Sequence, residues 1–254
     1  MSLQTLVRKA AKIIGDSNYV VVFTGAGISA EAGIPTFRGA QGLWTKYRPE
    51  ELATPKAFKK NPKKVWEWYV WRLEIILRSK PTLAHRIIAE LERRGIVKVI
   101  ITQNVDELHQ DAGSRRVIEL HGSIRRARCT KCSYKTKLME IPREIPPHCP
   151  KCGALLRPDV VWFGEEVPRV AFEESMREAS ICDSMIIIGT SGVVFPAAYI
   201  PIIAKSKGAI LIEINPSRSA LTSYVDIHIG TEASKALKAI YLELKSLGII
   251  NDRD

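Results

Sequence analysis

The sequence predicts an α/β fold in which helices cover both faces of a parallel sheet. Apolar runs that are typical of buried strands alternate along the chain with segments of helical apolar spacing, and this alternation favours a parallel sheet. Two stretches, about 36–80 and 125–157, interrupt the alternation and are expected to pack together as a smaller lobe. A chain of 254 residues, with 46% hydrophobic and 26% charged residues, is large enough to bury the core of such a fold.

Each predicted strand is a short apolar run that ends in glycine or polar turn residues. The strands are predicted at 19–27, 97–104, 117–123, 184–191, 209–216 and 225–230. Helices are predicted where apolar residues recur at helical spacing, at 3–15, 61–77, 81–95, 196–208 and about 232–247. Asn61 and Pro62 are typical of an N-cap and a first helical position. Residues 36–60 are predicted to be rich in loops, and prolines indicate irregular structure within 125–157.

Composition argues against several classes of protein. No apolar run reaches the ~18 residues that a membrane span needs, and the first residues lack the pattern of a secretory leader. We therefore expect a cytoplasmic protein with no membrane partner. The net charge of +11 would attract nucleic acid. However, the basic runs 58–64 and 124–131 lack interleaved aromatic residues for base stacking. We interpret both runs as solvated faces and expect no sequence-specific nucleic-acid binding.

Four of the five cysteines form two C-x-x-C steps in the spacing C-x₂-C-x₁₆-C-x₂-C. In an intracellular chain this spacing favours a tetrahedral zinc site over disulfides. The predicted ligands are Cys129, Cys132, Cys149 and Cys152. Four thiolates leave no open position for water or substrate, so the zinc is expected to be structural. Cys182 is predicted to be a small buried residue.

A glycine-rich turn, "TGAGISAEAG" (24–33), follows the first predicted strand. Glycines at such a turn let the backbone approach a pyrophosphate at the start of a helix. The pattern from Gly25 is G-x-G-x-x-A, but the second strand and acidic residue of a typical dehydrogenase do not follow. The turn alone therefore leaves two interpretations open, a dinucleotide site or a tight strand–helix connection.

Polar turns also follow three later strands, with Gln103, Asn104 and Asp106 after one, Gly189–Ser191 after another, and Asn215–Ser217 after a third. Carboxyl ends of parallel strands meet at one edge of a sheet, where ligands of open α/β folds bind. We therefore predict a binding crevice there. His121, at the exit towards the cysteine module, is placed to serve as a general base.

Taken in order, these segments resemble the sirtuins, the NAD-dependent protein deacylases. The resemblance rests on "GAGISAEAGIPTFRG", "TQNVDELH", "LHGS", the paired C-x-x-C steps, "RPDVVWFGE", "GTSGVVFPAA" and "EIN". It implies a Rossmann-type large lobe (about 1–36, 81–124 and 158–254) within a single catalytic domain. It also implies a small lobe made of a helical part (about 37–80) and a zinc module (125–157).

The resemblance also implies roles for individual residues. NAD would be held by residues of the turns and strand ends, namely Gly25, Ala26, Gly27, Ser29, Ala30, Phe37, Arg38, Gln103, Asn104, Asp106, Gly189, Thr190, Ser191, Asn215, Pro216, Ser217 and Ala233. An acyl-lysine peptide would add as a strand at Val160, Trp162, Phe163 and Gly164. The acyl oxygen would attack the ribose as nicotinamide leaves, with Asn104 and Asp106 near the cationic centre. His121 would then deprotonate a ribose hydroxyl, and the products would be lysine, nicotinamide and 2′-O-acyl-ADP-ribose.

The acyl preference is predicted from a Y-x-x-R pair. Tyr69 and Arg72 lie three residues apart in the predicted helix 61–77, hence on one face. This pair, together with Thr36 where many sirtuins carry Asp, resembles the subgroup that removes succinyl and malonyl groups (class III). A guanidinium and a phenol can hold a carboxylate. Alternatively, Tyr69 is a core residue and the head of Arg72 extends into water.

Other functions stay open at this point. The chain could be mainly a deacetylase, or a mono-ADP-ribosyltransferase that uses the same co-substrate. A non-enzymatic zinc-ribbon module that binds nucleic acid is the third alternative. The expected partners are acyl-lysine proteins, with basic chromatin-like proteins among the candidates.

Overall fold

A computed structural model describes residues 1–38 and 42–251. The predicted lobe ranges 37–80 and 158–254 also include 39–41 and 252–254, which lie outside the described residues. The strands are β1 (Val20–Thr24), β2 (Val97–Thr102), β3 (Val117–Glu119), β4 (Gly122–Cys129), β5 (Lys135–Lys137), β6 (Leu156–Val160), β7 (Ser184–Ile188), β8 (Ile210–Ile214) and β9 (Ile227–Ile229). The helices are α1 (Leu3–Asp16), α2 (Leu43–Lys46), α3 (Pro49–Leu52), α4 (Pro55–Lys60), α5 (Pro62–Arg78), α6 (Leu83–Arg93), α7 (Leu108–Asp111), α8 (Arg169–Ile181), α9 (Tyr199–Ser206) and α10 (Ala233–Ser246).

Six strands form a parallel sheet in the order β3-β2-β1-β7-β8-β9. Three adjacent interior strands, β2, β1 and β7, are buried at nearly every position. One face packs against α1, α6 and α10, and the other against α8 and α9. The predicted parallel sheet with two covered faces is therefore confirmed.

A second, antiparallel sheet in the order β5-β4-β6 lies beside α5. A third apolar cluster joins residues of this sheet to residues of α3, α4 and α5, so the two interrupting stretches pack together as expected. Asn61 caps α5, since its Oδ1 accepts a hydrogen bond from the backbone N–H of Lys64 at 3.0 Å. The predicted N-cap and first-turn proline are thereby confirmed.

Several element predictions are wrong. The strand predicted at 117–123 is two strands in different sheets, because the chain crosses between the sheets at Gly122, which has a φ of 75°. The loop-rich stretch 36–60 contains the short helices α2, α3 and α4. The helix expected after the glycine turn is a 3₁₀ helix, Ala26–Ala32. Helix α8 has no counterpart among the predicted elements.

Among the helices within 1–38 and 42–251, none is both long enough and apolar enough to cross a membrane.

Candidate active site

A cavity of about 730 Å³ lies where the carboxyl edge of the parallel sheet faces α5 and the end of β6. Fifteen of the residues predicted to hold NAD line it, namely Gly25, Ala26, Gly27, Ala30, Phe37, Arg38, Gln103, Asn104, Gly189, Thr190, Ser191, Asn215, Pro216, Ser217 and Ala233. His121 and the six residues predicted to bind substrate line the same cavity, namely Tyr69, Arg72, Val160, Trp162, Phe163 and Gly164. Residues from four separate strand ends thus meet in one place.

Backbone hydrogen bonds just beyond the strand ends hold the polar turns side by side. The N–H of Gln103 donates to the carbonyl of Thr24 at 3.0 Å, so the turn after β2 stays joined to the end of β1. Gly25 donates to the carbonyl of Ile188 at 2.9 Å, and Gly189 donates to the carbonyl of Ile214 at 3.0 Å. The ladder therefore continues one residue past each strand, and the polar turns share one edge because the strands are parallel.

The glycines of the first turn are needed for the close approach of two chain segments. A Cβ atom on Gly27 would lie 2.6 Å from the Cα of Gly189, and one on Gly25 would lie 2.8 Å from the carbonyl oxygen of Gly189. The N–H of Gly27 already donates to that same oxygen at 2.8 Å. Glycine therefore lets the turns after β1 and β7 touch, a packing role that adds to the predicted approach of the backbone to a pyrophosphate.

His121 is oriented by a backbone carbonyl. Its Nδ1 lies 3.0 Å from the carbonyl oxygen of Gln103, and because a carbonyl only accepts, Nδ1 carries the proton. Nε2 is then an unprotonated acceptor, with no hydrogen-bond partner among the described residues. Burial lowers the pKa of His121, and the hydrogen bond to the Gln103 carbonyl opposes this shift to a smaller extent. The ring is therefore neutral near pH 7, in the form that accepts a proton.

Ser29 and Asp106 are predicted NAD residues that lie behind the cavity wall. The Ser29 hydroxyl donates to Asp106 Oδ2 at 2.7 Å, and Asn104 Nδ2 donates to Ser29 Oγ at 3.2 Å. Asp106 Oδ1 accepts from the N–H of Leu108 at 2.9 Å. Burial raises the pKa of Asp106, although these hydrogen bonds and Arg72 oppose the rise. The carboxylate thus orients Asn104 through Ser29, while Asn104 itself reaches the cavity.

Arg72 is a buried cation that lines the cavity, with 7% of its surface exposed. Its guanidinium lies 4.7 Å from the ring of Phe37, 4.8 Å from that of Trp68 and 5.7 Å from that of Tyr69. No hydrogen bond or ion pair holds it among the described residues. Burial lowers the pKa of Arg72 to about 10, so it stays charged near pH 7. The carboxyl group of Asp106 opposes this lowering without forming an ion pair, and a desolvated cation with no directly bonded counter-charge is costly.

Trp68 is a cavity residue that the predicted site lacked. It lies four residues before Arg72 on α5 and is 6% exposed, and its buried Nε1 has no partner among the described residues. The i, i+4 spacing of a tryptophan and an arginine on one helix is a signal that could have revealed the pair.

The stretch 160–165 is held in place by a partly buried ion pair. Arg157 donates to both carboxylate oxygens of Glu165, at 2.5 and 2.9 Å. Glu165 Oε2 also accepts from the N–H of Trp162 at 2.9 Å, and the Arg157 guanidinium lies 3.4 Å from the centre of the Trp162 ring. The N–H of Phe163 donates to the carbonyl of Ala53 at 2.9 Å, which ties the stretch to the loop after α3. The backbone predicted to receive a peptide is therefore held rigidly.

The four predicted zinc ligands converge at one end of the antiparallel sheet. The sulfur atoms of Cys129, Cys132, Cys149 and Cys152 all lie within 4.8 Å of one another. The shortest distances are 3.5 Å (Cys129–Cys152) and 3.6 Å (Cys132–Cys149 and Cys132–Cys152). A tetrahedron with Zn–S bonds of about 2.3 Å has edges of about 3.8 Å, so the thiols fit one zinc ion. His148 lies outside this group and is next to Glu144, at 3.1 Å.

Comparisons with known proteins agree with this geometry. A model of the Sir2 family matches residues 25–196. The NAD-dependent protein deacylase 2 of Pyrobaculum aerophilum is 55% identical over 235 residues, which cover 92% of this chain and 94% of that protein. Among solved structures, a Sir2 homologue in complex with NAD is 51% identical, with a TM-score of 0.89 over 94% of both chains. A Sir2 protein bound to a myristoylated histone peptide is 39% identical, with a TM-score of 0.81 over 96% of this chain and 98% of that one.

In sequence and in fold, these relatives match the chain along almost its whole length. The chain belongs to the Sir2 family.

Proposed function

We propose that this protein removes acyl groups from lysine side chains of proteins and consumes NAD as the co-substrate. One observation carries the proposal: a neutral histidine with a free Nε2 shares a cavity with the polar turns at the carboxyl edge of a parallel sheet. The cavity volume of about 730 Å³ suits an extended ligand such as a dinucleotide. The relatives named above, which are called NAD-dependent protein deacylases or are seen with NAD, support the same activity.

When bound, NAD supplies an electrophilic ribose carbon from which nicotinamide can leave and to which an acyl oxygen can be transferred. His121 accepts a proton at Nε2, since its Nδ1 is fixed as a donor to the Gln103 carbonyl. Asn104 presents its amide to the cavity, held by Ser29 and Asp106. In its ionised form, the buried carboxyl group of Asp106 stabilises a cationic transition state nearby. The zinc ion has a structural role, since its four thiolates complete the coordination.

A product assay tests this proposal. We expect nicotinamide release that depends on an acyl-lysine peptide, and an acyl-ADP-ribose product identified by mass. A mono-ADP-ribosyltransferase would instead leave the ribose of NAD on protein. A nucleic-acid-binding module would release no nicotinamide and would bind DNA with a steep dependence on salt. Either of these last results would refute the proposed function.

We further propose that succinyl and malonyl groups are preferred over acetyl. The support comes from three groups of cavity-lining residues: the Arg72 cation, which has no ion-pair partner among the described residues, the Tyr69 hydroxyl and the unpartnered Trp68 Nε1. Each can donate a hydrogen bond, and no described residue nearby offers Arg72 a carboxylate within ion-pair distance. A dicarboxylic acyl group would bring that carboxylate, whereas an acetyl group would leave the donors unpaired, at a cost of about 1–3 kcal/mol.

The ratio of kcat/KM on succinyl and acetyl versions of one peptide measures this preference. Arg72→Met keeps an unbranched apolar stem and removes the charge, so we expect the succinyl advantage to fall tenfold or more, about the effect of one charged hydrogen bond. Arg78→Met is the matched control, because Arg78 is exposed in the last turn of the same helix. An Arg72→Met enzyme that still prefers succinyl would refute the acyl preference while leaving NAD-dependent deacylation intact.

Basic chromatin-like proteins are a proposed substrate class. The myristoylated histone peptide bound by one relative supports this proposal, whereas the net charge of +11 on this chain opposes it. Comparing kcat/KM for acyl-lysine peptides with lysine-rich or acidic flanks, at two salt concentrations, tests it. Faster turnover of the acidic peptide would argue against chromatin-like substrates.

A further inference from the structure

We propose that Trp162 sets the acyl specificity of the cavity by orienting the hydroxyl group of Tyr69; this inference rests on the succinyl and malonyl preference proposed above. The Nε1 of Trp162 lies 2.9 Å from Tyr69 Oη. An indole N–H can only donate, so the phenol oxygen accepts this bond. The oxygen of the Tyr69 hydroxyl therefore already accepts one hydrogen bond.

This hydrogen bond leaves the proton of the Tyr69 hydroxyl available for donation. No carbonyl or carboxylate among the described residues accepts a hydrogen bond from Tyr69 Oη. The side chains of Tyr69 and Trp162 both line the cavity. Burial raises the pKa of Tyr69, with Arg72 opposing the rise, so the phenol keeps its proton near neutral pH. With its acceptor side occupied by the indole, the hydroxyl is left to donate elsewhere. A carboxylate drawn to Arg72 is the acceptor that suits it.

Trp162 is itself rigid. It is 3% exposed, and its backbone N–H is held by Glu165 at 2.9 Å. The guanidinium of Arg157 covers its ring at 3.4 Å, and the ring of Phe58 lies 5.2 Å away. The indole N–H therefore has little freedom to turn away from Tyr69. A tryptophan in the stretch predicted to receive the peptide is thus joined by one hydrogen bond to the predicted acyl pocket.

A double-mutant cycle on the succinyl-to-acetyl ratio of kcat/KM tests the inference. Trp162→Phe removes the N–H and keeps a large aromatic ring, and Tyr69→Phe removes the hydroxyl. We expect Tyr69→Phe to lower the ratio about tenfold, because it deletes the hydroxyl that donates to the acyl carboxylate. Trp162→Phe should lower it about fivefold, because the Tyr69 hydroxyl remains but is free to rotate. In the Tyr69→Phe background, Trp162→Phe should have no further effect on the ratio.

Trp66→Phe is the matched control. It also removes one buried indole N–H, which donates to the carbonyl of Leu156 at 2.8 Å, and Trp66 lies on the same helix as Tyr69. Its substitution should leave the ratio unchanged.

The possible failures differ from one another. If wild type and Arg72→Met behave as proposed but Trp162→Phe keeps the full ratio, the role of Trp162 is wrong and the acyl preference stands. If Trp162→Phe does not fold, Tyr69→Phe alone decides, because an unchanged ratio there removes the hydroxyl from the specificity of the site. If wild type has no succinyl preference, both this inference and the acyl preference fail, while NAD-dependent deacylation is unaffected.

Discussion

The Nδ1 of His121 lies 3.0 Å from the carbonyl oxygen of Gln103, and this contact fixes the tautomer of the ring. Gln103 belongs to the turn after β2, and its own N–H donates to Thr24 in the neighbouring strand. The orientation of the base is therefore set by the backbone of the sheet, which a side-chain substitution at Gln103 would not disturb. The sheet edge that gathers the polar turns also aligns the group that accepts the proton.

The first prediction concerns the pH dependence of turnover. Burial lowers the pKa of His121, so the neutral base persists below the usual histidine pKa of about 6.5. We expect the acidic limb of kcat/KM to lie below that value. His121→Ala should bind NAD and lose about 10²–10⁴-fold in turnover, the usual contribution of a general base. Its residual activity should lack the acidic limb.

Binding and turnover must be measured on the same preparation. Calorimetric titration with NAD and a kcat/KM profile across pH separate a lost base from a lost fold. A near-wild-type rate for His121→Ala would refute the assignment of the base.

The second prediction separates the zinc cluster from the chemistry. Cys149→Ala leaves three thiols of the four that meet within 4.8 Å, so we expect loss of the metal and of NAD turnover together, because structural zinc sites contribute directly to folding free energy. Zinc content by elemental analysis and thermal unfolding provide the two readouts. We expect about one zinc ion per wild-type chain and a lower melting temperature for Cys149→Ala.

Cys182→Ala is the control for this experiment. Cys182 is buried, its sulfur donates weakly to the carbonyl of Ala179 at 3.4 Å, and burial raises its thiol pKa to about 12. Its removal should keep the zinc content unchanged. Full metal content in Cys149→Ala would show that the cluster is not the zinc site.

The parts of the fold that the sequence predicted well are those with a strong physical signature. Strands such as β1 and β7 are buried at all positions, so they appear as uninterrupted apolar runs. The shared edge of the polar turns followed from parallel pairing alone. By contrast, α8 buries Glu178, which accepts from the hydroxyl of Tyr19 at 2.5 Å and from Arg116 at 2.5 Å. A helix whose buried face includes a carboxylate lacks the apolar periodicity that would predict it.

The small elements were missed for a different reason. Helices α2 and α3 have four residues each, too few for a helical period to be recognised. Between β3 and β4 the apolar pattern continues while the chain changes sheets, and the tight contact at Gly122, where a Cβ would lie 2.1 Å from the carbonyl oxygen of Asp159, depends on a distant segment. Spacing also cannot tell that Ser29 and Asp106 do not line the cavity and instead hold Asn104, which does. Tertiary packing decides all of these features.

The basic run 124–131 is another case in which context decides. It was interpreted as a solvated face, but it forms most of β4, and its arginines pair with acidic groups on neighbouring elements. Arg126 donates to Glu107 at 2.7 Å and also contacts Glu119. Charge runs in the sequence do not reveal such partners, because most of the carboxylates come from other elements.

The third prediction concerns backbone strain at Glu107. This residue has a φ of 61°, in the left-handed region that non-glycine residues rarely adopt. Glu107→Ala and Glu107→Gly both remove the ion pair with Arg126, but only glycine relieves the strain. We expect both variants to be less stable than wild type, and the glycine variant to exceed the alanine variant by about 1 kcal/mol in the free energy of unfolding. Urea unfolding with zinc present measures the difference. An alanine variant whose free energy of unfolding equals or exceeds that of the glycine variant would contradict the strain argument.

The last prediction concerns two buried histidines next to the site. His85 and His109 are 0% and 1% exposed, and their rings lie 4.7 Å apart. His109 Nε2 is 3.0 Å from the hydroxyl of Thr24 at the end of β1. His85 Nδ1 accepts from the N–H of Thr82 at 3.3 Å, so its proton is on Nε2. Neither His85 Nε2 nor His109 Nδ1 has a partner among the described residues. Burial therefore favours the neutral form of both rings, because no described group nearby would stabilise the positive charge of a protonated ring.

This arrangement makes the fold less stable in acid. Burial lowers the pKa of His85 to about 4 and that of His109 well below its usual value. The unfolded chain, with ordinary histidines, binds protons below about pH 6.5 and the folded chain does not, so the free energy of unfolding falls as pH drops from there towards 4. His85 alone should account for about 2–3 kcal/mol over that range. His85→Gln, which cannot titrate, should lose less stability than wild type between pH 7.5 and pH 5. Because the zinc thiolates are common to both proteins, their own acid sensitivity cancels in the comparison, and parallel pH slopes by urea unfolding would contradict the prediction.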